Sequence, residues 1–219
     1  GGTATELSAD IPVIVGDMDT EMTLFVFGHK PHLYAITQQE VEEKIGAFVG
    51  EDRARELIDV VKAAHPDAGP YELICRLLSH GAFGLKTAQL AESKARQGGA
   101  PTYRYRVAWR TPVDDGAFMS PHELDVALVF GNVDAAIGLN GGGEEAHRLS
   151  EILQNTWLTF ARTGSPINPL VPEWPVYDAE TRPVLTFAPE PVIAHDVDGE
   201  ELRTFERVAP ERLRWFAAV

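Results

Sequence analysis

The sequence predicts an α/β fold, and three observations carry that prediction. Short runs of β-branched or aromatic residues at 11–16, 102–109 and 183–187 have the length and composition of strands. Stretches with apolar residues at helical spacing separate them. Strand candidates alternating with helical blocks point to α/β architecture rather than to a bundle or a sandwich.

The elements follow in order. Ile11-Pro12-Val13-Ile14-Val15-Gly16 reads as a buried parallel strand, apolar on both faces, with its proline at or near the first paired residue. A polar turn, Asp17-Met18-Asp19-Thr20-Glu21, leads into the apolar run 22–27. Thr37-Gln38-Gln39-Glu40 fits a capping-box start, with Val41, Ile45 and either Phe48 or Val49 on the buried face. Residues 51–65 carry Leu57, Ile58, Val60 and Val61 and are stopped by Pro66. Pro70 opens a third helical stretch over 70–78. A fourth covers 85–97 and ends at Gly98-Gly99.

The run 102–109 alternates with period two in its first half, as a strand should. Gly141-Gly142-Gly143 leads into the longest amphipathic helix, over 144–163, with Leu149, Ile152, Leu153, Trp157, Phe160 and Ala161 on one face. A final helical stretch carries Leu213, Trp215 and Phe216. Three strands make a small sheet whose edges should want more neighbours. With no repeat and no low-complexity linker, residues 1–219 read as one piece of one domain. The missing initiator Met and the early first strand suggest a chain entering mid-domain.

Composition excludes several functions. The 19 Lys and Arg against 33 Asp and Glu give a net charge of −14, which repels nucleic-acid phosphates and anionic membranes. No run approaches the roughly 20 apolar residues that span a bilayer. The single cysteine, Cys75, lies in an apolar stretch and reads as a buried, inert thiol. His29-Lys30-Pro31-His32 offers too few ligands for a metal site, so neither a metal nor a cofactor is expected.

Two segments carry chemistry. One is the acidic turn after the first strand, where Glu21 competes with Asp17 and Asp19. The other is His122-Glu123-Leu124-Asp125-Val126-Ala127-Leu128-Val129-Phe130-Gly131, after the second strand. Catalytic groups of open α/β sheets lie beyond the carboxyl ends of strands. An acid followed along the chain by a histidine also fits the order of nucleophile, acid, base in α/β-hydrolases.

These segments resemble the type-B carboxylesterases, which include cholinesterases and bacterial nitrobenzyl esterases. The sequence from Gly16 to Phe25 is similar to the family's G-x-x-x-[DE]-E-x-x-x-F, and His122 to Gly131 is similar to H-x-x-E-[IL]-x-[FY]-V-F-G. Trp157 to Asn168 resembles W-x-x-F-A-x-x-G-x-P-N, and Trp174-Pro175-Val176-Tyr177 matches W-P-x-Y. Thr20, Asp125 and the extra Ile167 depart from the pattern without removing a triad member.

The resemblance implies the C-terminal portion of an α/β-hydrolase, with its last strands and flanking helices. It implies Glu21 as the catalytic acid and His122 as the base of a Ser–His–Glu triad. It also implies a small-molecule ester as substrate. The family's G-x-S-x-G elbow is absent: Ser8, Ser79, Ser93, Ser120, Ser150 and Ser165 all lack the flanking glycines. The nucleophile would therefore come from an N-terminal half, in cis or as a separate chain, and this chain alone should be inactive. The alternative is a non-catalytic, cholinesterase-like interaction module or an inert fragment. Gly141-Gly142-Gly143 lies after the histidine and reads as a helix lead-in, not an oxyanion loop.

Overall fold

The computed structural model describes residues 5–29 and 31–209, with side chains described outside 27–31. In chain order the strands and α-helices are β1 (Val13–Met18), α1 (Thr23–His29), α2 (Gln38–Val49), α3 (Glu51–Ala64), α4 (Pro70–Ser79), α5 (Leu85–Gln97), β2 (Thr102–Val107), α6 (Leu124–Val129), α7 (Ile137–Asn140), α8 (Gly143–Thr163), β3 (Pro183–Phe187), β4 (Val192–His195) and α9 (Gly199–Val208). They form two compact units, whose described residues are 5–19 with 87–197 and 20–86 with 198–209.

The first unit is built on a four-stranded sheet in the order β1-β2-β3-β4. β1, β2 and β3 are parallel, and β4 returns antiparallel to β3. All six residues of β2, an interior strand of the sheet, are buried. Its alternation separates two environments. Tyr103 and Tyr105 join an aromatic layer in which Tyr105 meets Trp157 edge-on at 5.0 Å and Trp174 meets Tyr103 at 5.6 Å. Arg106 instead faces Asp17 at 3.5 Å and Asp19 at 3.7 Å.

Gly16 lies opposite Tyr105 in the β1–β2 register, and a Cβ there would come within 2.3 Å of the Tyr105 ring. The glycine leaves room for the aromatic layer to pass over the strand.

Several expectations shift. The first strand begins two residues later than 11–16 and continues through Met18, because Asp17 and Met18 still pair with Arg106 and Val107. It is not buried on both faces. Val13 to Gly16 are half-buried, and among the described residues β1 has only β2 beside it. The second strand ends at Val107. β4 and the short helix α6 join the elements read from the sequence. On α8, Leu149, Ile152 and Leu153 are buried, and Trp157 packs on Tyr105 and Phe187, but Ala161 is exposed. Gly141, Gly142 and Gly143 all have positive φ and form the turn from α7 into α8, a lead-in that glycine alone adopts without strain.

The second unit is helical. Thr37 and Glu40 form the reciprocal capping box, and α2 buries Val41, Ile45 and Val49, which settles the choice between Phe48 and Val49. α4 is buried along most of its length, with Leu73, Ile74, Cys75, Leu77 and Leu78 removed from solvent. Residues His80–Gly84 form a π-type turn that carries α4 directly into α5, where the sequence suggested separate helices. α9 adds Leu202, Phe205 and Val208 to this unit's core. The expected final helix with Leu213, Trp215 and Phe216 lies outside the described residues. No described helix is long and apolar enough to cross a membrane.

Candidate active site

Glu21 occupies the turn between β1 and α1 and is 4% exposed. The turn is closed locally, since the Thr23 amide and hydroxyl both donate to the Thr20 carbonyl, at 3.0 and 2.8 Å. It is also anchored at long range. The Met22 amide donates to Ser79 Oγ at 3.0 Å, and that hydroxyl donates in turn to the Cys75 carbonyl at 2.6 Å. The backbone next to Glu21 is therefore fixed to α4 by one buried serine. The rival acids are placed differently: Asp17 and Asp19 both face the Arg106 guanidinium.

His122 lies in the connection between β2 and α6 and is half-buried. That connection contains several non-glycine residues at positive φ. Asp114 and Asp115 lie at 53°, Met119 at 55°, and Glu123 at 66° immediately after the histidine. Such residues cost about 1 kcal/mol or more each and persist only where surrounding contacts enforce them. The contacts are identifiable. Ser120, fully buried, donates to the Val107 carbonyl at 2.8 Å, and the Thr111 amide donates to the Met119 carbonyl at 2.9 Å. Beyond the histidine, Tyr105 Oη donates to Asp125 at 2.7 Å and ties the start of α6 to β2. Asp125, the residue that departs from the family's usual Glu, thus has a structural partner.

Val107 O at the carboxyl end of β2 receives a second hydrogen bond, from the Asp19 amide at 2.9 Å. Asp19 and Ser120 each precede a candidate residue by two positions. Within the first unit, the Val107 carbonyl thus accepts both from the residue after β1 and from the connection that leads to His122.

The serines that pack in the interior are committed elsewhere. Ser79, Ser120 and Ser150 each donate to a backbone carbonyl. A hydroxyl that donates its proton to a backbone carbonyl is held in a structural role. Burial raises the thiol pKa of Cys75 to about 12, which keeps it protonated and inert. An open groove of about 690 Å³ runs along α2 and α3 between Glu42, Glu43, Glu51, Arg55 and Asp59. It holds neither candidate residue. The His29–His32 pair includes a side chain outside the described set.

A cluster that sequence reasoning missed lies in the helical unit, where His65, His80 and Glu201 converge. The Glu201 carboxyl is held down at about 2: burial pushes it up, and the imidazoles of His65 and His80 outweigh that. Its members are far apart in sequence and share no motif, so no local signal marks them.

The carboxylesterase family profile matches residues 3–205. The chain is 27% identical to para-nitrobenzyl esterase of Bacillus subtilis (strain 168) over 198 residues, 89% of this chain and 37% of the relative. It is 25% identical to phenmedipham hydrolase of Pseudarthrobacter oxydans over 190 residues, 84% of this chain and again 37% of the relative. The chain thus spans well under half the length of these curated relatives. Among solved structures, a carboxylesterase of Geobacillus stearothermophilus superposes with a TM-score of 0.73 at 27% identity, covering 90% of this chain and 40% of that one.

Proposed function

The chain belongs to the carboxylesterase family, and on that premise we propose that the protein carrying it hydrolyses carboxylic esters through a Ser–His–Glu triad, with Glu21 and His122 supplied by this sequence. The nucleophilic serine and the N–H donors for the oxyanion belong to a segment outside this sequence, in cis or as a second chain. One observation carries the reading: the carboxylesterase family profile matches residues 3–205, a span that includes both Glu21 and His122. Family likeness and the order of the motifs support it from the sequence side.

In this reading His122 takes the serine hydroxyl proton as the oxygen attacks the ester carbonyl. It returns that proton to the departing alcohol when the C–O bond breaks. Water then attacks the acyl-enzyme by the same route and releases the acid. Glu21 accepts a hydrogen bond from the other ring nitrogen, fixes the tautomer and stabilises the imidazolium as it forms. A buried carboxylate suits that role, because low dielectric strengthens its pull on a developing cation. Asp17 and Asp19 are less suited, since they already face a permanent guanidinium.

The test is p-nitrophenyl ester turnover by the whole protein. His122→Ala and Glu21→Gln should each lower kcat by on the order of 10⁴, as loss of a triad member does elsewhere. The double variant should be scarcely worse than His122→Ala alone, because triad members act as a unit. Asp19→Asn should retain turnover within about tenfold. Full activity in Glu21→Gln would refute the assignment.

A further inference from the structure

We propose that His65, His80 and Glu201 form a zinc site in the helical unit, separate from the residues assigned to ester hydrolysis. Three helix ends deliver the ligands. His65 caps the C-terminus of α3, His80 opens the π-type turn after α4, and Glu201 lies in the first turn of α9.

The geometry is that of a coordination shell. His65 Nε2 lies 3.2 Å from Glu201 Oε1, and His80 Nε2 lies 3.3 Å from the same oxygen. The ligand atoms of all three residues fall within 4.8 Å of one another. Zinc bonds of about 2.0–2.1 Å in a tetrahedron place neighbouring ligand atoms about 3.3–3.4 Å apart. The two His–Glu edges, at 3.2 and 3.3 Å, are close to that spacing, and the His65–His80 edge is within 4.8 Å. Hydrogen bonding accounts for one of the two His–Glu contacts, His80 Nε2 to Glu201 Oε1, and leaves the other unexplained. His65 Nε2 is buried and close to the carboxylate, yet it makes no hydrogen bond of acceptable angle. A ring lone pair aimed at a common centre fits such a position.

The surroundings provide orientation and access. His80 Nδ1, its other ring nitrogen, lies 3.8 Å from Asp198 Oδ2, within ion-pair reach but too far for a direct hydrogen bond. Phe205 packs edge-on against the His80 ring at 5.7 Å and limits its rotation. His80 and Glu201 are buried, while the His65 side chain is about a quarter exposed, so the cluster comes nearest to solvent on the His65 side. Two imidazoles and one carboxylate favour Zn²⁺ over Ca²⁺ or Mg²⁺, which prefer all-oxygen shells. A bound ion would clip α9 to the ends of α3 and α4, elements distant in sequence.

Zn²⁺ titration of the metal-stripped whole protein, by calorimetry with metal content checked by mass spectrometry, tests the site. One equivalent should bind, and the melting temperature should rise and fall back on chelation. His65→Ala, at the partly exposed ligand, and Glu201→Gln, which keeps the side-chain shape, should each weaken binding at least tenfold. His122→Ala should leave binding unchanged, so ester hydrolysis and the zinc site can fail independently. Co²⁺ in place of zinc should give the intense visible absorption of a tetrahedral complex. Absence of stoichiometric Zn²⁺, or equal affinity in wild type, His65→Ala and Glu201→Gln, would overturn the proposal.

Discussion

The turn that carries Glu21 and the connection that carries His122 are held by opposite means. The acid's turn is short and buried, and one serine hydroxyl, Ser79 Oγ, fixes its backbone. The histidine's connection is long and half-exposed, and it holds Met119 and Glu123 in left-handed backbone against their preference. Its restraints are spread over Ser120, Thr111 and the Tyr105–Asp125 pair. In the proposed triad, a carboxylate that only orients and stabilises can be locked in place by burial. A base that exchanges protons with substrate must meet solvent, so its position depends on several tethers acting at a distance.

That contrast can be broken most severely at Ser79. Ser79→Ala leaves the Met22 amide buried without its acceptor, which should cost about 1–3 kcal/mol of stability in urea unfolding and lower ester turnover as well. Ser120→Ala should cost less, about 1 kcal/mol, because the Val107 carbonyl keeps its bond from the Asp19 amide. Its signature should be kinetic, with a fall in kcat at nearly constant KM as His122 loses one restraint.

Tyr105→Phe and Asp125→Ala sharpen the comparison further. A double-mutant cycle on unfolding should return a coupling of about 1 kcal/mol, since the pair is direct and short. The smallest effect is expected at Glu123. Its φ of 66° suits glycine, so Glu123→Gly should cost no stability and should raise the thermal midpoint slightly, a gain of a few tenths of a kcal/mol. A clear loss there would mean that the Glu123 side chain, not its backbone, is what matters.

The legible parts of this molecule were those written in local sequence. The capping box at Thr37, the long amphipathic α8 and the aromatic alternation of β2 all announce themselves within a few residues. α6 and α9 did not. α6 is six residues long and starts from a left-handed glutamate, and α9 is short, acidic and preceded by a left-handed aspartate. Neither start follows usual capping chemistry. β4 is four residues long and half-exposed, and its place is set by β3 rather than by its own pattern.

The candidate site divides the same way. Glu21 and His122 stand in contiguous motifs, so sequence alone nominates them as candidates. It does not reveal what holds their turns: the Ser79–Met22 and Ser120–Val107 bonds, like the cluster of His65, His80 and Glu201, join residues whose proximity exists only after folding.

The central claim is that the Glu21 carboxylate and the His122 imidazole share a proton. Nitrogen-15 NMR of the His122 ring in the whole protein, wild type against Glu21→Gln, tests it most directly. The claim predicts a slowly exchanging ring proton on the nitrogen facing Glu21, lost or strongly shifted in Glu21→Gln and retained in Asp17→Asn and Asp19→Asn. An imidazole spectrum indifferent to Glu21→Gln would contradict it.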